Sequence, residues 1–394
     1  LRAVTRAKIK IFLLIYLKHM TKHNEIVIIG GGPVGLTTAL KLAKQNKQII
    51  LIDKAFNYQH DARILALSFL SLKFITELGI KLEQLQHTKI KQVEVSHHGL
   101  GINKIKSTEL GLPELGLTVS YASLCTELLK LVKLSPKIRL VDKEVTAIQN
   151  LDNYSVVEFI HDTNRELLTC DLLIMAEGGQ LLQKMAKKRS YDYQQSACIF
   201  HITTQAKHNN IAYERFSGSG PLVLLPYDDH YVVVWSLATL QVNQLKDNDD
   251  KLINLLNNEF ARRLGKIELI SPVKSYELKL SQIKQRVHKH MVVVGNSAQT
   301  VHPVSAQGLN LGLRDVEVLS SILLKANYLN HLLEYDNLRN FDVDSVINFT
   351  HLLATKLDYS ESRIVNHMRG LGLIGLSNLP SVKNFISRSL IFGL

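Results

Sequence analysis

The chain alternates short apolar runs with stretches of helical periodicity, and this alternation predicts an α/β fold. One apolar run, EIVIIG, covers residues 25–30, and a second, QIILID, covers residues 48–53. Continuous aliphatic runs of this length are typical of strands that are buried on both faces of a parallel sheet. Residues 36–43 between them place apolar side chains at helical spacing. We therefore expect a β-α-β unit at the start of the fold.

Two later apolar runs extend the same pattern. Residues 171–176 and 291–294 each form a run that ends in a glycine turn, and we expect both to be strands of the same sheet. A long helix is predicted to begin between Gly308 and Gly312.

The middle of the chain has a different pattern, because its apolar runs are separated by turn residues at hairpin spacing. This pattern predicts an antiparallel sheet inserted into the α/β body, which we expect to cover a substrate pocket. The alternative is a structural subdomain without ligand contacts. The predicted strands cover residues 197–204, 211–216, 222–226 and 231–237.

The first β-α-β unit carries a glycine motif, GGGPVG, in which Gly30, Gly32 and Gly35 fit the pattern G-x-G-x-x-G. The first glycine permits a tight turn, the second lets backbone approach a pyrophosphate, and the third allows close packing of helix on strand. The helix N-terminus offers N–H groups to phosphates. Asp53 ends the second strand, where a carboxylate accepts hydrogen bonds from a ribose. These features together predict a dinucleotide site.

A second candidate contact follows in the segment from Asp61 to Ser68. Asp61 is a plausible N-cap, and we expect a helix to begin there. Arg63 in its first turn is unfavourably placed for the helix dipole, so we expect it to bind an anionic cofactor. The alternative is a solvent-exposed arginine.

Composition excludes several classes of protein. The 394 residues are enough for two or three domains, and the net charge is +12. Such a charge attracts nucleic acid, anionic lipid or acidic small molecules, but no run of five like charges occurs, so no nucleic-acid partner is predicted. The three cysteines lie far apart, which argues against a disulfide scaffold and indicates a reducing compartment. The histidine pairs lack metal-ligand spacing, so no metal is predicted.

The two ends of the chain leave alternatives open. Residues 1–20 combine basic residues with a seven-residue apolar run that is too short to span a membrane. This segment could be an interfacial anchor, a disordered tail, or an upstream extension with the working start at Met20, and we favour the last two. Residues 335–394 are basic and apolar with helical periodicity, which suits a membrane surface, a core or a subunit interface equally.

The most specific motif is MVVVGNSAQTVHPVSAQGLNLGLRD, at residues 291–315. With the two motifs before it, this string resembles the FAD-dependent aromatic hydroxylases of the para-hydroxybenzoate hydroxylase superfamily. Within that superfamily it is most similar to the ubiquinone-biosynthesis branch, above all to the 2-polyprenyl-6-methoxyphenol hydroxylases. A further local match is YERF at residues 213–216, and the resemblance covers about residues 25–394.

The resemblance implies a bound FAD, a transient NAD(P)H and hydroxylation of a polyprenylated (methoxy)phenol with O2 through a flavin C4a-hydroperoxide. It implies a cytoplasmic enzyme, peripheral on the inner membrane through its C-terminal helices, that works with a lipophilic phenolic substrate in a multi-enzyme ubiquinone-biosynthesis complex. Two alternatives are an FAD-dependent prenyl-chain reductase or dehydrogenase and an inactive flavin-binding subunit of such a complex.

The resemblance also implies a set of site residues. Members of the branch usually carry glycine where Ala306 stands. The phenol base and any other catalytic side chain remain unidentified. The ADP half of FAD would contact Gly30, Gly32, Gly35 and Asp53, with Arg63 near the pyrophosphate or flavin, Gly295 and Asn296 at the ribityl chain, and Pro303, Gly308, Leu309 and Asn310 at the flavin ring.

The expected fold is therefore a Rossmann-like FAD-binding domain with an inserted antiparallel-sheet substrate domain and a C-terminal helical segment. The predicted division is a tail or upstream extension at 1–23, the first part of the FAD-binding domain at 24–189 with a substrate-side excursion at about 85–115, the substrate domain at 190–270, the second part of the FAD-binding domain at 271–330, and C-terminal helices at 331–394.

Overall fold

A computed structural model describes residues 23–97, 100–161, 164–179, 181–184, 188–245, 248–260 and 263–356. The interpretations of residues 1–20 and of the chain beyond residue 356 lie outside these ranges. The strands are β1 His23–Ile29, β2 Ile49–Asp53, β3 Ile64–Ser68, β4 His87–Ile90, β5 Gln92–His97, β6 Leu100–Lys106, β7 Gly116–Ser120, β8 Ile138–Asp142, β9 Val145–Asn150, β10 Ser155–His161, β11 Asn164–Met175, β12 Lys188–Thr204, β13 Ile211–Ser217, β14 Gly220–Tyr227, β15 His230–Ala238, β16 Ile267–Leu269, β17 Lys274–Ile283, β18 Val287–His288, β19 Met291–Val293 and β20 Gln299–Thr300.

The α-helices complete the architecture. Within the described part of the chain, no helix is long and apolar enough to cross a membrane. The helices are α1 Pro33–Lys44, α2 Phe69–Glu77, α3 Tyr121–Leu134, α4 Thr239–Leu245, α5 Asp249–Phe260, α6 Gly308–Leu323 and α7 Leu332–Lys356.

The first sheet has a parallel centre in the strand order β19-β11-β1-β2-β8. Its central strand is buried on both faces, as the apolar run predicts. Ile26 and Ile28 face a core that includes α1, α3 and α6, whereas Val27 and Ile29 face a second core that includes β9 and β10. The predicted Rossmann-like unit is therefore confirmed.

The second sheet has the order β20-β17-β12-β15-β14-β13-β5-β6, and it confirms the predicted antiparallel strands in the middle of the chain. β13 and β5 are its one parallel pair among the described strands. β5, β6 and β17 come from outside residues 190–270, so the sheet is assembled from separate stretches of chain. The domain limits themselves stay a prediction.

The predicted helix at Asp61 is wrong. Residues 64–68 form β3, which pairs antiparallel with β7 in a three-stranded sheet. Asp61 instead accepts hydrogen bonds from the backbone N–H and the side chain of Arg63, a local turn that competes with a helix N-terminus. The helix begins at Phe69, where the hydroxyl of Ser68 accepts the N–H of Ser71 at 3.3 Å.

Candidate active site

Of the three glycines that fit the G-x-G-x-x-G pattern in the turn between β1 and α1, packing requires two and does not require the third. Gly30 has φ +117°, and a Cβ atom there would lie 2.4 Å from the carbonyl carbon of Ala176. A Cβ at Gly35 would lie 1.8 Å from the carbonyl oxygen of Gly30. At Gly32 the nearest atom is the hydroxyl of Tyr121, at 3.3 Å. Apart from its chain neighbours, no other atom of the described residues lies within 4 Å of that position, so the space beyond the Tyr121 hydroxyl is open, as a site for a pyrophosphate requires.

Asp53 stabilises this turn and faces a cavity. Its carboxylate accepts the N–H of Gly31 at 2.5 Å and the N–H of Ala55 at 3.0 Å. A cavity of about 170 Å³ lies against it, at the carboxyl ends of β1 and β2, where ligands of parallel sheets bind. The cavity is lined by Ile29, Gly30, Ile52, Asp53, Lys54, Lys143, Glu144, Val145, Glu177 and Leu181.

Arg63 lies at the open side of the same turn. Its guanidinium forms an ion pair with Asp61 at 2.5 Å and stacks over the ring of Tyr121, 4.1 Å from the ring centroid. The hydrogen bond to Asp61 raises the pKa of Arg63 further above its ordinary value. Since the hydroxyl of Tyr121 is the atom nearest to the open space at Gly32, the structure brings a permanent cation close to the glycine turn.

The second glycine-bearing strand end converges on the first. Gly295 follows β19 with φ +59°, and a Cβ there would lie 3.1 Å from the side chain of Val34 in the first turn of α1. A Cβ at Gly312 in α6 would lie 2.7 Å from the same side chain. Both glycines are therefore needed for α6 and the end of β19 to approach α1. The side chain of Asn296 is exposed beside this contact.

A buried carboxylate holds the second strand end in place. Asp315 accepts the N–H of Gly295 at 2.8 Å and the side-chain amide of Gln299 at 2.7 Å. Its other oxygen pairs with Arg339 of α7 at 2.7 Å, and Arg339 also binds Asp342. Asp315 is fully buried, so this network links α6, α7 and the strand end without solvent.

The loop from His302 to Ala306 is anchored by a neutral histidine. The Nδ1 atom of His302 accepts the N–H of Val304 at 3.2 Å, and Nε2 donates to the side-chain oxygen of Gln195 at 3.1 Å. Burial lowers the pKa of His302 to about 4, so the ring is uncharged at neutral pH. Pro303 precedes a 3₁₀ turn over Val304–Ala306. His302 therefore positions this loop.

The N-terminus of α6 carries the remaining predicted residues, Gly308, Leu309 and Asn310, and their surroundings differ. A Cβ at Gly308 would meet nothing within 4 Å, so the space beside it is open. The side chain of Asn310 donates to the carbonyls of Ala66 and Ala306 at 3.1 and 3.0 Å and accepts the N–H of Ser68 at 2.9 Å. Its amide therefore ties β3 to the loop. Leu309 is half-buried against the first core.

A cavity of about 160 Å³ separates this loop from the second sheet. An apolar cavity of about 150 Å³ binds benzene, so this one has room for a single aromatic ring. Apolar side chains provide most of its wall. It is lined by Ala66, Leu67, Ser68, Ile90, Val93, Val95, Ile105, Leu115, Gly116, Ala212, Tyr213, Glu214, Val223, Leu225, Ala306, Gln307 and Asn310. We call this space the ring cavity.

The family of the chain follows from a comparison with protein-family models. The model of the FAD binding domain matches residues 23–330. The chain belongs to this FAD-binding family. Its cofactor is therefore FAD, and the open space at Gly32, the position of Asp53 and the helix N-terminus fit the ADP half of that cofactor.

Individual relatives agree with this family assignment and confirm the resemblance found in the sequence. The ubiquinone hydroxylase UbiM of Neisseria meningitidis is 25% identical, over 94% of this chain and 85% of its own length. The 3-demethoxyubiquinol 3-hydroxylase of Escherichia coli is 26% identical, over 91% of this chain and 96% of its own length. The crystal structure of p-nitrophenol 4-monooxygenase PnpA from Pseudomonas putida has the same fold, with a TM-score of 0.76, 15% identity, and coverage of 94% and 99% of the two chains.

Three residues of the site were missed in the sequence. Tyr121 carries no motif signal, and only the fold brings it over Gly32. Asp315 stands at the end of the most specific motif, so its position in that string could have pointed to a role. Glu214 lies within the local match YERF, but its orientation depends on a strand register that a single sequence does not reveal.

Proposed function

We propose that this protein is an FAD-dependent monooxygenase that hydroxylates a polyprenylated phenol in ubiquinone biosynthesis, with NAD(P)H and O2 as co-substrates. The observation that carries the proposal is the ring cavity, which is apolar, sized for one aromatic ring, and bounded by the loop and helix N-terminus that follow the second glycine-bearing strand end. The printed names of the relatives, which are hydroxylases of ubiquinone biosynthesis, support the choice of substrate class.

In this proposal the two glycine-bearing strand ends hold one FAD molecule. Backbone at Gly30, Gly32 and Gly35 receives the pyrophosphate, Asp53 binds the ribose, and Arg63 supplies positive charge beside the phosphates. Backbone at Gly295 and the side chain of Asn296 contact the ribityl chain. The flavin ring lies against Pro303, Gly308 and Leu309, and Asn310 positions the wall beside it.

When bound, FAD would supply the redox chemistry, namely hydride acceptance from NAD(P)H and transfer of one oxygen atom of O2 to the substrate ring. The residues of this chain orient the phenol and exclude water. The apolar walls from β5, β13 and β14 keep water away from the reacting atoms, which limits wasteful loss of the activated oxygen. His302 and Asn310 hold in place the loop against which the flavin ring would lie.

The lipophilic substrate suggests where the protein works. We infer that the protein is cytoplasmic and contacts the inner membrane peripherally to collect a substrate dissolved in the bilayer, within a multi-enzyme complex of ubiquinone biosynthesis. Co-sedimentation of the full chain with vesicles containing anionic lipid tests the membrane contact, since the net charge of +12 favours anionic surfaces. Equal binding to neutral vesicles, or none to either, would count against it.

The decisive experiment is product analysis. The purified holoenzyme is incubated with a 2-prenyl-6-methoxyphenol, NAD(P)H and isotopically labelled O2, and the product is examined by mass spectrometry. We expect one labelled oxygen atom on the ring and none in an anaerobic control. A gain of two hydrogens on the prenyl chain would instead indicate a reductase. Bound FAD without any product would indicate an inactive flavin-binding subunit.

A further inference from the structure

The second sheet presents an acidic side chain to the ring cavity. Side chains alternate between the two faces of a strand, so Ala212 and Glu214 of β13 share one face, and Tyr213 and Arg215 share the other. Ala212 belongs to the apolar cluster beside the cavity. Tyr213 and Arg215 instead pack on Phe260 of α5, with ring centroids 5.5 Å apart for Tyr213 and the guanidinium 4.8 Å from the ring for Arg215. The Glu214 side chain therefore lies on the cavity face.

The neighbouring strands confirm this orientation. Glu214 pairs with Val95 of β5 and with Val223 of β14, and both valines line the ring cavity. Paired residues on adjacent strands point to the same face of a sheet. The cross-strand neighbours of Glu214 on both sides are thus apolar.

Glu214 is the one carboxylate among the described residues that line the ring cavity. The facing positions on β5 are Val93 and Val95, and those on β14 are Val223 and Leu225, so none of these neighbours is titratable or charged. Across the cavity, the loop and α6 contribute Ala306, Gln307 and Asn310, which are uncharged as well. The other ionisable lining residue, Tyr213, turns its ring to the opposite face.

We propose that Glu214 is the general base of the hydroxylation, and that its carboxylate accepts the proton of the substrate phenol. This inference rests on the proposed function, which places a phenol in the ring cavity. In the step, the phenol O–H bond breaks, the proton moves to a carboxylate oxygen of Glu214, and the electron pair stays on the phenol oxygen. The ring becomes more electron-rich as it is attacked, and general-base assistance of this kind contributes about 100-fold to 10,000-fold in rate.

The geometry assigns the two sides of the cavity complementary tasks. The sheet offers a base at Glu214, and the opposite wall consists of the loop and helix N-terminus proposed to lie along the flavin. A ring that fills the space places its hydroxyl toward the sheet and its reacting carbon toward the cofactor. The orientation of the substrate then depends on a polar contact at the sheet side of a mostly apolar pocket.

The first arm of the test uses a binding probe and needs no turnover. 4-Nitrophenol is titrated with pH in the presence of excess holoenzyme, and its absorbance reports ionisation of the bound probe. A carboxylate beside the phenol oxygen disfavours the phenolate by like-charge repulsion. We expect the pKa of the bound probe to be lower in Glu214→Gln than in wild type. The control is Glu277→Gln, an exposed glutamate on β17 of the same sheet, which should titrate as wild type does.

The second arm measures product formed per NAD(P)H oxidised with a prenylated methoxyphenol. Glu214→Gln should retain FAD and NAD(P)H oxidation but form product about 100-fold more slowly, with recovery as pH rises and the phenol ionises unaided. Glu214→Asp should recover part of the rate, because it keeps the carboxylate.

The two arms separate failure of this inference from failure of the proposed function. Identical probe titrations for wild type and Glu214→Gln, or no binding of the probe to wild type, would overturn the contact between Glu214 and a phenol. A normal product yield in Glu214→Gln would overturn its role as a base. If the titrations differ but wild type forms no hydroxylated product, the contact stands and the proposed function fails.

Discussion

The two ends of the candidate active site are built from different parts of the polypeptide. At the glycine turn, backbone forms the site, and the positions of Gly30 and Gly35 exclude even one added carbon atom. At the ring cavity, side chains form the site, and Val95, Glu214 and Val223 reach it from three strands. The cofactor end is therefore set by close approach of main chains, and the substrate end by which side chains the strand register brings together.

This difference explains how one fold serves many substrates. Replacing one aliphatic residue of the cavity wall with another of similar volume usually costs little stability. A change at Gly35 instead forces α1 away from β1 and affects every function of the domain. We therefore expect substitutions to be tolerated more readily at the ring cavity than at Gly30 and Gly35, and a shared cofactor is then compatible with divergent substrates.

The prediction with the largest expected effect asks whether the stability of the cofactor end depends on a buried side chain as well as on its glycines. Asp315→Asn removes a buried charge that pairs with Arg339 and fixes the N–H of Gly295. We expect the free energy of unfolding to fall by about 3–5 kcal/mol, because Arg339 keeps a buried charge with one partner fewer. Urea denaturation followed by circular dichroism measures the change. Asp152→Asn, which breaks an exposed ion pair with Lys289, should leave stability nearly unchanged.

Much of the fold could be predicted from the sequence because its signals are local. The apolar runs of β1 and β2 and the hairpin spacing of β12 to β15 each lie within a few consecutive residues. The failure at residues 61–68 has a physical cause, since Asp61 binds its own neighbour Arg63 and the following residues pair with β7 about fifty residues away. Local propensity carried no information on that pairing.

The candidate site shows the same difference between features with a local sequence signal and features that depend on long-range strand pairing. The close backbone approach at Gly30 and Gly35 could be predicted, because a glycine motif records it in the sequence itself, whereas their contacts with the cofactor stay a prediction. The orientation of Glu214 depends on pairing with β5, which is more than one hundred residues away along the chain, and no periodicity in a single strand predicts it. The contact of Asn310 with the flavin ring stays a prediction, and the structure adds that its amide binds Ser68, Ala66 and Ala306, which the sequence does not reveal.

The next expected effect concerns His302, which anchors the loop where the two ends meet. Its pKa of about 4 in the folded protein lies below the ordinary value of 6.5, so the unfolded chain takes up the proton first as pH falls. Stability should therefore decrease between about pH 6.5 and pH 4, by about 3 kcal/mol in total. Urea midpoints of wild type and His302→Gln across this range give the measurement. Parallel pH profiles for the two proteins would show that His302 contributes nothing.

A smaller effect separates the open glycine from the packed ones. Gly32→Val should fold, since Gly32 has φ −71° and only the Tyr121 hydroxyl lies near a new Cβ. The added side chain would occupy the proposed pyrophosphate position and weaken FAD binding about 100-fold, or about 2.7 kcal/mol. Flavin absorbance after gel filtration and titration with FAD measure this loss. Gly35→Ala is the matched contrast, because its Cβ meets backbone and should destabilise the fold itself. A Gly32→Val protein that retains FAD fully would refute the cofactor placement.

The smallest expected effect lies at Ala306, which borders both ends of the site. Ala306 has φ +49°, a left-handed conformation that costs a non-glycine residue about 1–2 kcal/mol. Glycine avoids this cost but loses about 0.5–1 kcal/mol through greater freedom of the unfolded chain. Ala306→Gly should therefore stabilise the protein by about 0.5 kcal/mol, measured by urea denaturation. Ala147→Gly in β9 is the control and should destabilise by a similar amount, since a strand position offers glycine no advantage. If both substitutions lower the free energy of unfolding equally, the left-handed conformation of Ala306 costs the folded protein nothing.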